Sequence, residues 1–427
     1  MSFSEPIEKL VLESASSSVA VAPWWKRVPL IEIANILNGY PWESAKFNDQ
    51  KGVPLIRIRD ITSGKTDTYY DGDIADGYWI DNGDLLVGMD GDFNVRIWSG
   101  GRALLNQRVC KISPVENLYQ KRFLAAVLPG YLKLINEKTN SVTVKHLSSK
   151  TIGEIPLPLP PLAEQRRIVA KIESLTAKSK RAREHLDHIP RLVEKYKQAV
   201  LSAAIAGRLS SSGSTGAVWQ SVSVSKLFDW SSGKNLPTKK QNEGDVPVIG
   251  GNGITGYHDA ALIDFPTVVI GRVGALCGNV HRSSGKAWIT DNAIYAKTIS
   301  PQVSLDFAAL FFKNSKLNSL SGGSGQPYVN QSTLNGLQMP LPAMAEQKEI
   351  VGLVKCAFAW IDRLEKEAVS ARKLVDALDK AILAKAFRGE LVPQDPNDEP
   401  AEALLARIKA ERAARLQPRR GRTAKVK

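Results

Sequence analysis

Two stretches of the chain place an apolar or small residue at alternating steps of four and three positions. The first stretch runs through Ile168, Ile172, Leu175, Ser179, Ala182, Leu186, Ile189, Val193, Tyr196, Val200 and Ala203. The second runs through Ile350, Val354, Ala357, Ile361, Leu364, Ala368, Ala371, Val375, Leu378 and Ile382, and turns polar at Lys385. Because Lys, Arg and Glu are frequent between these positions, the period of about 3.5 residues predicts a coiled-coil seam.

The two stretches are copies of one element, since similar short sequences open and close them. PLPPLAEQ at 158–165 recurs as PLPAMAEQ at 340–347, and AGRL at 206–209 recurs as RGEL at 388–391. The landmarks are equally far apart in both copies, so each copy is predicted as one helix of about 43 residues, about 65 Å long. Pro190 is expected to kink or split the first helix, and Gly207 and Gly389 stand where a C-cap belongs.

A globular region precedes each helix, and the two regions share landmarks. Both open near a tryptophan, Trp25 and Trp219, and both continue with strand candidates at 53–56 and 84–88 in one region and at 246–249 and 267–271 in the other. Paired polar side chains follow, Asn106 with Gln107 in the first region and Asp291 with Asn292 in the second. The two regions are therefore predicted to share one mixed fold, α+β or α/β, whose sequences have diverged.

Two long helices with matching apolar stripes are expected to bury those stripes against each other. We therefore predict two globular domains of shared fold separated by two antiparallel coiled-coil helices, in a pseudo-two-fold internal repeat with the globules at opposite ends. The predicted division of the chain has seven parts. These are an N-terminal extension at 1–22, the first domain at 23–155, the first helix with its entry at 156–209, a Ser/Gly linker at 210–217, the second domain at 218–339, the second helix at 340–391, and a basic tail at 392–427.

Charge and cysteine content indicate the setting in which the chain works. The formal net charge of +14 and a sequence pI near 9.5 favour a polyanionic partner. Cys110, Cys277 and Cys356 form no CxxC pair, so they are expected to serve packing in a reducing cytoplasm. No apolar run of about 18 residues is present, and the N-terminus lacks the pattern of a signal peptide.

No local motif of an enzyme stands out, so neither a catalytic residue nor a metal ligand is predicted. The chain has no GxxxxGK[ST] phosphate loop and no Asn-Pro-Pro-aromatic run of the kind amino-methyltransferases use. The aspartates between 71 and 92 do not follow the spacing of an EF-hand, and turns explain them at less cost. His185 and His188 lie three residues apart without an evident third ligand.

The contrast between similar helices and dissimilar globules bears on function. A homodimer on a palindrome would present two identical readers, whereas one chain with two unlike readers suits a non-palindromic target in two parts. Two alternatives remain from the residues alone. One is a coiled-coil adaptor that binds DNA without sequence preference, and the other is a self-contained DNA methyltransferase or nuclease.

The repeated segments resemble a known family. PLPPLAEQRRIV and MPLPAMAEQKEIV are similar to the openings of the conserved regions of type I restriction enzyme specificity subunits. The blocks ending in AGRL and RGEL resemble the closing parts of those regions, and the segment 391–401 resembles the family's C-terminal extension. The resemblance extends from about Trp24 to Arg412.

The resemblance implies a non-catalytic subunit that recognises DNA in the cytoplasm. Each globule would be a target-recognition domain that reads one half of a bipartite asymmetric site. The helices would space the halves and bind two modification (methyltransferase) subunits, which carry S-adenosylmethionine and methylate adenine. Restriction subunits, driven by ATP and Mg²⁺, would join them for cleavage, and no cofactor would reside in this chain.

Candidate DNA-binding residues follow from side-chain chemistry, because Arg and Lys suit guanine edges and Asn and Gln suit adenine edges in the major groove. In the first domain they are Arg57, Arg59, Asn94, Arg96, Arg102, Asn106, Gln107 and Arg108. In the second domain they are Lys239, Lys240, Asn252, Arg272, His281, Arg282, Lys286, Asn292, Gln326 and Tyr328. The tail beyond Ala401 carries nine Lys or Arg residues, and a short helix that frays into a solvated basic arm is expected there.

Overall fold

The computed structural model describes residues 6–14, 19–138, 146–210, 219–274, 277–320 and 328–416. The chain divides into two compact units. The first comprises residues 1–183 and 373–427, and the second comprises residues 184–372. Each unit therefore contains one globular domain together with parts of both long helices.

The first domain builds two sheets and a short ribbon from eleven strands. Its helices are α1 Ile7–Leu12, α2 Leu30–Ile33, α3 Ile58–Ser63, α4 Lys121–Lys138 and α5 Ser149–Gly153. Its strands are β1 Lys26–Pro29, β2 Ala34–Asn38, β3 Phe47–Asn48, β4 Val53–Ile56, β5 Tyr69–Tyr70, β6 Trp79–Ile80, β7 Leu85–Gly88, β8 Val95–Ile97, β9 Ala103–Leu105, β10 Val109–Pro114 and β11 Pro156–Leu159. One sheet has the order β2-β10-β7-β8, the other β3-β5-β4-β9-β6, and β1 pairs with β11.

The second unit repeats this plan with fewer strands. The first long helix comes before it in the chain as α6 Leu162–Asp187 and α7 Ile189–Ile205. The domain consists of β12 Gln220–Ser223, α8 Val224–Leu227, β13 Phe228–Ser232, β14 Val246–Gly250, β15 Gly253–His258, β16 Thr267–Gly271, β17 Val280–Ser283, β18 Trp288–Ile289, β19 Ala293–Ile299, α9 Leu305–Asn314, α10 Gln331–Asn335 and β20 Gln338–Leu341. The second long helix is α11 Met344–Phe387, and α12 Ala401–Leu416 closes the described chain.

The two domains share one topology, which confirms the predicted common fold. The sheet order β13-β19-β16-β17 repeats β2-β10-β7-β8, and each of these sheets is antiparallel throughout. Each domain also has a parallel pair of strands, β4 with β9 and β14 with β18. All four residues of β7 and all five of β16 are buried, because layers cover both faces of these central strands.

Both long helices are present, and they differ at Pro190. The first helix is split at His188, and Pro190 lies in the first turn of α7, where its missing N–H costs no hydrogen bond. The second helix, α11, runs for 44 residues. Splitting was one of the two outcomes that the sequence predicted for copy one.

The helices pack antiparallel within each unit, as predicted. In the first unit, Ile168 and Ile172 share a buried cluster with Ile382, and Arg183 Nε lies 2.9 Å from Asp376 Oδ1. In the second unit, Lys197 Nζ lies 2.7 Å from Asp362 Oδ1, and Arg372 Nε lies 3.1 Å from Asp187 Oδ1. In both units the residue numbers on the second helix decrease as those on the first helix increase, so the two helices run antiparallel.

The predicted seam positions differ in burial. Buried ones are Ile168, Ile172, Val193, Ile350, Val354, Ile361 and Ile382. Half-buried ones are Leu175, Leu186 and Val375. Leu364, Leu378 and Tyr196 are 40%, 52% and 60% exposed, so the seam is open to solvent at these positions.

The repeated Gln ties each helix to its own domain. Gln165 is fully buried, donates from Nε2 to the Pro160 and Leu118 carbonyls at 2.9 and 3.1 Å, and accepts from the Gln120 N–H at 2.8 Å. Gln347 makes the corresponding bonds to Pro342, Gln302 and Ser304. The PLPxxAEQ motif therefore has a structural role, because its Gln fixes the first turn of each long helix to the preceding domain.

The two glycines end the helices as predicted. Gly207 has a φ of 74° and Gly389 a φ of 71°, which is the left-handed conformation of a helix C′ residue. Trp219 packs on Gly207 in the second unit, and Trp24 packs on Gly389 in the first. In the second unit the tryptophan that opens the domain, Trp219, thus covers the end of a long helix, whereas in the first unit Trp24, the neighbour of Trp25, does so.

Two expectations need correction. Cys110 and Cys277 are buried as expected, but Cys356 is exposed, because its position on α11 lies outside the seam. The short helix expected in the tail is present as α12, but it is not solvated on all sides: Ala401, Leu404, Leu405 and Ile408 recur on one helical face and are buried against the first domain. The predicted linker from 211 and the tail beyond Leu416 lie outside the described residues.

Candidate nucleic-acid interface

One edge of the first domain gathers loop residues from three strands. Gly39 follows β2 and donates its N–H to the Val109 carbonyl at 3.0 Å, and Met89 follows β7 and donates to the Arg108 carbonyl at 3.0 Å. Asn106, Gln107 and Arg108 form the turn between β9 and β10 at this edge. A Cβ on Gly39 would lie 2.0 Å from the Asn106 carbonyl oxygen, so only glycine permits this approach.

A charged cluster forms around Arg108 at this edge. Arg108 Nε lies 3.4 Å from Asp90 Oδ2, and Arg108 Nη1 lies 3.3 Å from His146 Nδ1. His146 Nδ1 is in turn 2.6 Å from Asp90 Oδ1. Asp90 and His146 were not among the predicted site residues, because nothing in the sequence relates positions so far apart.

The other predicted residues of the first domain separate into two groups. Asn94 joins the edge, since its carbonyl accepts from Gly88, the last residue of β7, and Arg57 and Arg59 are exposed just beyond β4. Arg96 instead donates to the Ile61 and Thr62 carbonyls at the end of α3. Arg102 stands before β9, at the opposite end from Asn106, with its guanidinium 4.5 Å from the centroid of the Trp79 ring.

Aromatic side chains flank the same edge and were also missed. Tyr40, Trp42, Tyr70 and Tyr78 form a connected group with ring centroids 4.7 to 6.2 Å apart. Tyr40 is half-exposed, and its carbonyl accepts from the Gln107 N–H at 3.0 Å. The group supports the turn that carries the polar side chains.

The corresponding edge of the second domain encloses a polar cleft of about 550 Å³. Asn252 and Asn292, both predicted, line it together with Asp291. Residues that the sequence did not single out complete the lining, among them Asn235, Thr238, Gln241, Thr255 and Thr290. Short polar side chains dominate this edge, whereas Arg and Tyr are prominent in the first domain.

The remaining predicted residues of the second domain are distributed unevenly. Arg272 lies beside the cleft, because its N–H donates to the Asn292 carbonyl and its own carbonyl accepts from Val329, the neighbour of Tyr328. Lys239 and Lys240 are exposed in the turn that begins at Thr238.

Two residues contact other parts of the second domain. His281 Nε2 lies 3.3 Å from the Gly251 carbonyl oxygen, and Arg282 pairs with Asp306 on α9. Lys286 is exposed in the segment before β18. Gln326 lies outside the described residues.

The structure shifts the correspondence between the equivalent turns of the two domains by one residue. From the sequence, Asn106 and Gln107 were expected to correspond to Asp291 and Asn292. A Cβ on Gly233 would lie 2.1 Å from the Thr290 carbonyl oxygen, which repeats the contact of Gly39 with Asn106. Asn106 therefore corresponds to Thr290, and Arg108 corresponds to Asn292.

Titratable groups whose pKa burial raises lie in the first unit, and none of them is among the candidate DNA contacts. Burial raises the pKa of the Cys110 thiol to about 12, and burial raises the pKa of Tyr131 to about 12 although Arg27 donates to its hydroxyl. Burial also raises the pKa of Glu164, opposed by the hydrogen bond from Trp25 Nε1. Among the described residues, no cluster of His, Cys, Asp and Glu could hold a metal ion.

The two units together define a class: a protein with two domains of one fold, each attached to paired helices and each with a different polar edge. Within the described part of the chain, none of the helices has the length and apolarity needed to cross a membrane.

Comparison with known proteins identifies the family. The model of the type I restriction modification DNA specificity domain matches residues 24–189 and 217–368. The chain is 37% identical to the specificity subunit of the type I restriction enzyme EcoBI of Escherichia coli, over 97% of this chain and 98% of that protein. It is 24% identical to the StySPI specificity subunit of Salmonella potsdam, over 91% and 96% of the two chains.

Solved structures agree on the fold. A chain from a study of complex assembly and conformational transition in the type I R-M system superposes with a TM-score of 0.66 at 20% identity, over 87% of this chain and 99% of that one. The HsdS subunit from Thermoanaerobacter tengcongensis superposes with a TM-score of 0.60 at 20% identity, over 87% and 98%. The chain belongs to the family of type I restriction–modification DNA specificity subunits, the non-catalytic, DNA-recognising members of these systems.

Proposed function

We propose that this chain recognises a bipartite, asymmetric DNA sequence through the unlike edges of its two domains. The observation that carries the proposal is that one fold presents different chemistry at the same edge, an Arg–Asp–His cluster in the first domain and an amide-lined cleft in the second. A protein that bound DNA without regard to sequence would need only positive charge. Distinct polar groups at matching positions favour base reading over a general adaptor.

The candidate contacts follow from this placement. In the first domain they are Asn94, Gln107 and Arg108, with Arg57 and Arg59 beside them. The predicted contact Asn106 is corrected, because its side chain is buried and its Oδ1 accepts from the Gln107 N–H at 2.7 Å. In the second they are Asn252, Asn292, Arg272, Lys239, Lys240 and Tyr328. Arg96 and Arg282 are less suited, because carbonyl groups of α3 and the carboxylate of Asp306 already engage their guanidinium groups.

We further propose that the helical region connects the two readers and binds two modification subunits, which restriction subunits join. In the second unit, α7 and α11 enclose an open apolar groove of about 710 Å³. Tyr196 and Trp360 in this groove are 60% and 59% exposed. Large exposed aromatics in a contiguous apolar patch are typical of protein–protein interfaces.

Chemistry would reside on the partners. S-adenosylmethionine would be bound by the modification subunits, and ATP with Mg²⁺ by the restriction subunits, all in the cytoplasm. This chain would select the DNA sequence and provide the surface on which the other subunits assemble.

A genomic measurement tests the recognition proposal. Methylated adenines are mapped in the host before and after deletion of the gene. One two-part motif should lose its methylation on deletion and regain it on complementation. An unchanged methylation map, together with binding of the purified complex that is equal for all sequences and declines with salt, would favour the adaptor.

A second experiment tests the groove. The double variant Tyr196→Glu and Trp360→Glu is tagged and isolated from the host, and co-purified modification subunit is quantified. We expect strong loss of the subunit. Tyr257→Glu is the matched control, because Tyr257 is 55% exposed on β15 of the same unit but lies outside the groove. Undiminished co-purification in the double variant would remove the groove from the assembly surface.

A further inference from the structure

Arg108 and Asn292 occupy the same place in their two domains. Each is the residue immediately before the strand that pairs with two neighbours at once, β10 and β19. The carbonyl of Arg108 accepts from Met89 at 3.0 Å, and the carbonyl of Asn292 accepts from Arg272 at 2.8 Å. Because these backbone hydrogen bonds are equivalent, the two side chains are attached at the same position of the shared fold.

The side chains at that position differ in the way that matters for base reading. Arg makes two parallel hydrogen bonds to O6 and N7 of guanine, and Asn makes two to N6 and N7 of adenine. An exchange of Arg for Asn at one structural position therefore exchanges guanine for adenine. The same backbone geometry can present either side chain to a groove.

Arg108 is held in a way that suits reading. Its side chain is 53% exposed, while Asp90 is 19% exposed and fixed by His146. An ion pair at this exposure adds little to stability, so its main effect is to restrict the Arg rotamers. Guanidinium carries five N–H donors, and the two contacts with Asp90 and His146 engage only part of them. A pre-ordered Arg loses less freedom when it binds a base.

Asn292 is also exposed. It lines the polar cleft together with Asn252 and Thr290. Its backbone carbonyl accepts from the Arg272 N–H, which anchors the residue beside the cleft that it lines.

We infer that Arg108 and Asn292 are corresponding specificity determinants: Arg108 reads a guanine in one part of the target, and Asn292 reads an adenine at the corresponding place in the other part. Asp90 is a positioning residue that acts through Arg108. The inference rests on the proposed two-part recognition and deepens it by assigning one base in each part.

Selection from a randomised duplex pool tests the assignment. The full complex is isolated from its host through a tag on this chain, with wild-type sequence or with Arg108→Asn or Asn292→Arg. Arg108→Asn should change the preference at one base pair from guanine toward adenine. Asn292→Arg should produce the reverse change at one base pair of the other part. Each change is expected to alter discrimination about tenfold to hundredfold.

Two further variants separate base reading from general damage. Asp90→Asn should weaken discrimination at the Arg108 base pair while guanine remains preferred. Arg122→Asn is the matched control, since Arg122 is similarly exposed and paired with Glu173, and it should leave the whole target unchanged. The part of the target read by the unaltered domain serves as an internal check that each variant is folded.

The outcomes are distinguishable. If wild type selects a two-part target and Arg108→Asn and Asn292→Arg leave it unchanged, or alter bases other than guanine and adenine, the assignment is overturned and two-part recognition stands. If wild type selects no sequence, two-part recognition itself fails and the assignment fails with it.

Discussion

Replacement of Gln165 by Leu should detach the first long helix from the first domain. The side chain is fully buried and makes three hydrogen bonds, two to carbonyls and one from the Gln120 N–H. At about 1 kcal/mol net for each bond, the loss is about 3 kcal/mol, and the backbone groups left unpaired in the interior add to it. Domains of this size are stable by only about 5–15 kcal/mol, so the effect is large.

Hydrogen exchange measured by mass spectrometry locates the effect. A loss of about 3 kcal/mol corresponds to roughly hundredfold faster exchange at the Gln120 amide and the start of α6. Gln347→Leu is the matched control, because it should produce the same change at Ser304 and the start of α11 and leave Gln120 unaffected. A loss below about 1 kcal/mol with unchanged exchange at Gln120 would falsify the anchoring role of the motif.

Three other perturbations test the packing. Gly389→Ala should lower the free energy of unfolding in denaturant by about 1–3 kcal/mol, because φ is 71° and a Cβ would lie 2.7 Å from a tryptophan ring. Gly352→Ala inside α11 is the control. A Cβ there meets nothing within 4 Å, so this change should be neutral or stabilising by up to about 1 kcal/mol. The pKa of Glu164 is raised in the folded state, so between the ordinary carboxyl pKa and this raised pKa the folded protein binds more protons than the unfolded chain. Stability therefore falls as the pH rises through this range, and Glu164→Gln should make that fall smaller. In native protein, an alkylating reagent should modify Cys356 and spare Cys110, whose thiol is buried with a pKa of about 12.

Each of these three expectations has a clear contrary result. Equal effects of the two Gly substitutions would contradict the special conformation of the helix end. Stability of the Glu164 variant that falls with pH as steeply as in wild type would show that another group titrates. Modification of Cys110 at the rate of Cys356 would show that the core of the first domain opens readily.

Much of the architecture could be read from the sequence because the signals are local. The 3.5-residue period, the PLPxxAEQ openings and the glycines at the helix ends each depend on neighbouring residues, so the two helices, their ends and the division at Pro190 were predictable. The repeat itself then implied two domains of one fold. The apolar face of α12, at Ala401, Leu404, Leu405 and Ile408, is also a local pattern, although it is interspersed with basic residues that are typical of a solvated tail.

The candidate site depended on tertiary structure, because side chains distant in the chain meet there. Sequence chemistry selects Arg and Asn residues, yet it cannot show that the guanidinium groups of Arg96 and Arg282 are already engaged within the domain while Arg108 stays exposed. The sequence also does not show that His146 lies beside Asp90, or that the residue corresponding to Asn292 is Arg108 and not Gln107. Helical periodicity is a property of consecutive residues and is written in their order, whereas the register between strands and the contacts between loops exist only once the chain has folded.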